Sequence, residues 1–150
     1  MTETSLQDRY FPDLPCFGCG PANADGLRLK SFADGDRVVA EFTPWPAHDN
    51  GLGFLNGGII ATVLDCHSAA VVTHEAFSRG WPPLPGAALP YVTAGLDVRY
   101  LRPAPLEGTV QLVGRVLEAS EAEMTAEVSL GWDGKPRATA TALWKRWRPR

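Results

Sequence analysis

The sequence predicts an α+β fold, one long helix set against an antiparallel sheet. Three observations carry this expectation. Residues 57 to about 79 contain no proline and end at Arg79-Gly80, a basic last turn followed by a glycine stop signal. Strand-like runs flank that stretch, two before it and four after it. Short turns separate most of the runs, which suits antiparallel neighbours. The expected order is β-β-loop-α-loop-β-β-β-β, the last part a meander, with no internal repeat and no low-complexity segment.

Each element has a local reason. Residues 1–26 are rich in Pro, Gly and Asp without a period, so they are expected to form an irregular lead-in, and residues 27–150 a single domain. Leu27, Leu29 and Phe32 alternate, a turn falls at Asp34-Gly35, and Val38, Ala40 and Phe42 resume the alternation as the second arm of a hairpin. "WPAHDNGLGFL" is a loop, and Asn56 is a favoured helix N-cap. The loop "GWPPLPGAALP" leads into runs near 91–102, 108–119 and 122–132, and "PRATATALWKRW" closes the sheet. Trp132, Trp144 and Trp147 read as core or interface aromatics at strand period. A sheet wrapped around one helix buries it from one side, so the other side needs a cover, most simply a second subunit.

Composition excludes several functions. With 150 residues, 45% of them hydrophobic, the chain suits one domain with a real core. A formal charge of −3 and a pI near 5.6 argue against nucleic acid as a partner. The first residues, "MTETSLQDRYF", lack the basic and apolar regions of a secretory signal, and no apolar run reaches the roughly 18 residues of a membrane span. Three cysteines, an odd number, suggest free thiols and a reducing cytoplasm.

The chemistry concentrates in "NGLGFLNGGIIATVLDCHSAA", residues 50–70. Gly57 and Gly58 place backbone N–H groups at the positive end of the helix, where anions or polarised carbonyls bind; equally, the glycines can serve tight packing alone. Asp65 is a carboxylate among apolar residues, seven positions beyond Gly58. At about 100° and 1.5 Å per residue it returns to nearly the same face about 10 Å further along. The two cannot touch one small carbonyl within a single chain, but two helices packed antiparallel across a two-fold axis would bring them together. A purely structural carboxylate is the competing reading. Ser68, one turn beyond Asp65, is placed to hydrogen-bond it.

Asn50, the Gly53 turn, Asn56-Gly57-Gly58 and Asp65 together resemble the active-site segment of the hotdog-fold acyl-CoA thioesterases of the PaaI-like type, in the 4-hydroxybenzoyl-CoA thioesterase superfamily. The similarity extends to "CFGCGPANADGLRL" upstream and "VTAGLDVRYLRPAPLEGTV" downstream. It implies a sheet wrapped around the helix, a homodimer often paired into a homotetramer, active sites between subunits, and an acyl-CoA thioester substrate hydrolysed without a cofactor. It further implies that the Gly57 amide polarises the thioester carbonyl with help from Asn50. Asp65 of the other subunit would act as nucleophile or general base, and Thr93 would place the water or the carboxylate. The family usually has His where this chain has Asn56. Two alternatives remain beside hydrolysis: a binder of acyl-CoA or another thioester carrier, and, less favoured, a hydratase on the same fold.

Other residues are weighed against plainer roles. Cys16 and Cys19 form a lone C-x-x-C read as a turn, with no metal expected; a four-coordinate zinc would need ligands from distant segments or a second chain. His67 and His74 point away from Asp65 by helical count and read as sheet-facing or surface residues, and His48 as a loop residue. Arg102 beside Pro103, with Arg99 near it, is a candidate for the phosphates of coenzyme A, a reading balanced for Arg102 by that of a solvated strand face, while the basic C-terminal residues read rather as a frayed tail. Phe54, Leu55, Val92 and Leu96 are candidates to wall the acyl cleft.

Overall fold

Asn56 begins the long helix α2 (Gly57–Ser78) in the computed structural model, which describes residues 3–150. Its side-chain oxygen accepts from the amides of Gly58 and Ile59, satisfying two donors that a helix end would leave open. The helix stops at Arg79, and Gly80 follows with φ 77°, a left-handed conformation that costs glycine no strain. Val63, Leu64, Ala70, Val72 and Ala76 are fully buried along it. No helix of the described residues is long and apolar enough to cross a membrane.

Among the described residues six antiparallel strands wrap that helix: β1 (Ser31–Asp34), β2 (Arg37–Phe42), β3 (Tyr91–Tyr100), β4 (Val110–Ala119), β5 (Glu123–Trp132) and β6 (Lys135–Arg146). Their order is β1-β2-β4-β5-β6-β3. Only β4-β5-β6 is a meander; β3 lies at the far edge and pairs with β6 rather than β4. The loop after α2 decides this. Its carbonyls at Trp81 and Pro82 accept from the Arg146 guanidinium, and Pro90 accepts from the Trp147 amide, so the chain enters β3 beside the end of β6. The hairpin link is Gly35-Asp36, one residue later than expected, because Asp34 still pairs with Arg37. Helix and sheet pack tightly at Gly114 of β4, where a Cβ would stand 2.7 Å from Val71 of the helix and 2.8 Å from Val128. Only glycine leaves room for the helix there.

The expected lead-in, whose residues 1 and 2 lie outside the described residues, is not irregular throughout. Ser5 accepts from the Asp8 amide and caps a short helix, α1 (Leu6–Tyr10), which buries Leu6. Phe11, just beyond it, is buried too, and the Tyr10 ring stacks on Phe77 of α2 at 4.4 Å. Leu27 and Leu29 sit outside β1, their amides bonded to the carbonyls of Phe17 and Gly18. The side of α2 that the sheet leaves open is thus partly covered by residues of this chain's own lead-in, among them Tyr10, Cys16 and Gly18, a cover the sequence reading assigned to a second subunit.

A buried polar chain locks these layers together. Gln7 donates to the Ser31 hydroxyl at 3.0 Å and accepts from the Ser31 amide at 2.7 Å. His67 Nε2 donates to the Val38 carbonyl at 2.9 Å, which leaves Nδ1 to accept from Ser31 Oγ at 2.9 Å. Burial holds the His67 ring neutral, its pKa lowered to about 4. His67 therefore faces the sheet, while His74 meets Tyr10 of α1.

Candidate active site

The N-terminal end of α2 is shaped by two asparagines. Asn50 Oδ1 accepts from the amides of Leu52 and Phe54, and neighbouring Asp49 from those of Gly51 and Gly53, so the loop before the helix is held by its own side chains. This use of the Asn50 oxygen leaves its Nδ2 group free to donate, and the residue is exposed. Asn56 engages Gly58 and Ile59, so the Gly58 amide, expected to be open to a ligand, is already taken. Among the described residues the Gly57 amide has no acceptor and remains the open donor of the helix end. Tyr100 Oη donates to the Gly57 carbonyl at 2.7 Å and lays its ring beside that turn. Phe54, in the loop before the helix, is 41% exposed, whereas Leu55 is buried at 3% and lines the core rather than a cleft.

Asp65 lies two turns further along, half-buried and facing β3. Thr93 Oγ1 donates to Asp65 Oδ1 at 2.8 Å, from a position in β3 next to a bulge at Ala94. Burial raises the Asp65 pKa above the usual carboxylate range against the lowering effect of the Thr93 bond, and the nearby Cys16 sulfur raises it further. Ser68 does not reach the carboxylate. Its hydroxyl donates to the Asp65 backbone carbonyl at 2.7 Å and accepts from Trp144 Nε1 at 2.9 Å, because at i+3 on a helix it sits over the backbone of the preceding turn. A cavity of about 400 Å³ opens here, lined by Cys16, Asp65, Cys66, Val92, Thr93 and Trp144 among others. Its lining is mostly apolar, and no cation pairs with Asp65 among the described residues.

The structure brings Asp65 and Thr93 together and keeps Asn50, Phe54 and Gly57 apart from them. Gly57 and Asp65 are eight residues apart on one continuous helix, about 12 Å along its axis. Arg102 is exposed beyond the end of β3, and among the described residues its guanidinium makes no hydrogen bond or ion pair. The two groups lie along the unpaired edge strand β3, which exposes Val92 and Tyr100, with Leu101 exposed just beyond its end. Sequence reasoning missed Tyr100, whose hydroxyl fixes the Gly57 turn, and the approach of Cys66 to Cys16 at 3.8 Å. The first had a legible signal, an aromatic at the end of a strand next to a glycine-rich helix start; the second needed the fold.

Comparison with known proteins agrees with this architecture. A sequence family described as the Thioesterase superfamily matches residues 52–138. A thioesterase superfamily protein of Shewanella loihica PV-4 is 29% identical, over 85% of this chain and 98% of its own, with a TM-score of 0.63. A phenylacetic acid degradation-related protein of Ralstonia eutropha JMP134 is 24% identical, over 95% of this chain and 99% of its own, with a TM-score of 0.71. A Streptococcus mutans UA159 protein solved with acetyl-CoA bound is 21% identical, over 81% and 90%, with a TM-score of 0.65. No curated protein matches the sequence.

Proposed function

The chain belongs to the thioesterase superfamily and has its hotdog fold, and on that premise we propose that it hydrolyses acyl-coenzyme A thioesters to a free carboxylic acid and coenzyme A. The observation that carries this reading is Asp65, a carboxylate half-buried in a mostly apolar cavity, held by one hydroxyl and paired with no cationic side chain among the described residues. An arrangement of that kind costs stability and suits a group that must accept a proton or attack a carbonyl. The acetyl-CoA-bound relative supports coenzyme A as the carrier.

Thioester hydrolysis develops negative charge on the carbonyl oxygen. The open Gly57 amide at the positive end of α2 suits that charge, and Asn50 Nδ2 can donate beside it. Asp65 then acts in one of two ways. It adds to the carbonyl carbon, expels the coenzyme A thiolate and leaves an anhydride that water cleaves, or it takes a proton from a water that adds instead. Thr93 orients the carboxylate in both. The roughly 12 Å between Gly57 and Asp65 favours a homodimer in which Gly57 and Asn50 of one subunit face the partner subunit's Asp65 and Thr93, with the exposed edge of β3 at the junction. Two such dimers would form the tetramer. Phe54 would wall the acyl group, and the Arg102 guanidinium would meet the coenzyme A phosphates. Three free thiols suit a cytoplasmic setting.

Release of free thiol from benzoyl-, phenylacetyl- and straight-chain acyl-CoA by the unaltered protein and by Asp65→Asn tests the proposal. Turnover that falls by several orders of magnitude in the variant, with binding retained, supports it. Tight binding without turnover by the unaltered protein would overturn hydrolysis in favour of a thioester-binding role, with Asn56 in place of the usual His as its mark.

A further inference from the structure

The lead-in carries chemistry that the proposed hydrolysis does not use. Cys16 and Cys19 come from the turn at residues 16–19, Cys66 from α2, and their three sulfurs lie within 4.8 Å of one another. We propose that Cys16, Cys19 and Cys66 form a three-thiolate zinc site that clamps the lead-in onto α2 at the wall of the Asp65 cavity.

The spacing fits zinc. Zinc–thiolate bonds of about 2.3 Å in a tetrahedron place neighbouring sulfurs about 3.8 Å apart. Cys16 and Cys66 stand 3.8 Å apart, and the remaining pairs, within 4.8 Å, lie no more than about an ångström beyond that spacing. A disulfide would use two of these thiols and strand the third, while zinc uses all three. Thiolates also select zinc over the hard cations magnesium and calcium.

The backbone is arranged for the same contact. A Cβ at Gly18 would stand 2.2 Å from Cys66 Sγ, so only glycine lets the turn lie on the helix with its cysteines over Cys66. A Cβ at Gly20 would fall 2.2 Å from the Cys16 nitrogen, and the Gly20 amide closes the turn on the Cys16 carbonyl at 2.8 Å. All three cysteines line the cavity, the space from which a fourth ligand would complete the tetrahedron. The distant ligand that the lone C-x-x-C lacked in sequence is supplied by the helix.

The full chain, purified without a metal-binding tag or chelator and with a phosphine reductant, is analysed for zinc. After zinc removal it is titrated with Cd²⁺, followed by ultraviolet thiolate-to-cadmium absorption. The site predicts about one zinc per chain, an absorption that saturates near one equivalent, and at least a tenfold weaker cadmium affinity in Cys16→Ser. Zinc removal is also expected to speed amide hydrogen exchange in residues 5–29 while β4, β5 and β6 stay protected. Metal-free protein with no saturable cadmium absorption would overturn the proposal, as would unchanged cadmium affinity in Cys16→Ser. Cys16 is only half-buried, so its variant is expected to fold; if it does not, the titration of the unaltered protein decides.

Discussion

Gly57 offers a way to delete one backbone N–H and little else. It is the first residue of α2, the position where proline is tolerated because the missing N–H is not used by the helix. Asn56 before it has φ −59° and ψ 133°, the extended conformation that a residue preceding proline prefers. The nearest atoms to a Cβ at Gly57 would be those of the Tyr100 phenol, at 3.5 Å, an ordinary contact. Gly57→Ala therefore keeps the amide and adds a methyl group, while Gly57→Pro removes the amide. If that amide polarises the thioester carbonyl, Gly57→Pro loses about 10²–10³ in kcat relative to Gly57→Ala, or roughly 3–4 kcal/mol of transition-state stabilisation. Thiol release under saturating acyl-CoA measures the ratio, and thermal unfolding of both variants confirms that the helix start is intact. A Gly57→Pro variant that folds and turns over within about threefold of Gly57→Ala would refute the assignment of this amide as the oxyanion donor.

Three further outcomes are expected. Mixing Asp65→Asn chains with Asn50→Ala chains, each inactive alone, restores up to roughly a quarter of the unaltered activity if sites are shared across a two-fold, since half the dimers are mixed and each holds one good site; no recovery despite subunit exchange, seen by native mass spectrometry, counts against sharing. Ser31→Ala strips Gln7 and His67 of a buried partner each and destabilises the fold by about 2–4 kcal/mol in urea unfolding, and a loss below about 0.5 kcal/mol would contradict the network. His74, its pKa lowered by burial and then by Arg9, binds fewer protons folded than unfolded. Its contribution to stability is complete above the unfolded pKa near 6.5 and declines as pH falls toward the lowered folded value, so the pH 7.5-to-5.5 loss in urea midpoint is smaller in His74→Gln.

The sequence by itself determined what depends on near neighbours. Asn56, Gly57 and the proline-free stretch to Arg79 specify the long helix, because capping, helix period and stop signals act within a few residues. The strands of the second half appear within two residues of their expected ends, because alternation and turn chemistry are also local. Asp65 was legible as a carboxylate out of place among apolar residues, and the distance from Gly57 followed from helix geometry alone. The tertiary structure decided what depends on chain crossings. It placed β3 beside β6 because Arg146 grips the preceding loop, folded the lead-in onto α2, and turned Ser68 toward the Asp65 backbone and Trp144. It also carried Cys66 to Cys16 across fifty residues of sequence. No local pattern encodes such a meeting, since the contact exists only once the helix is packed and the lead-in has closed over it.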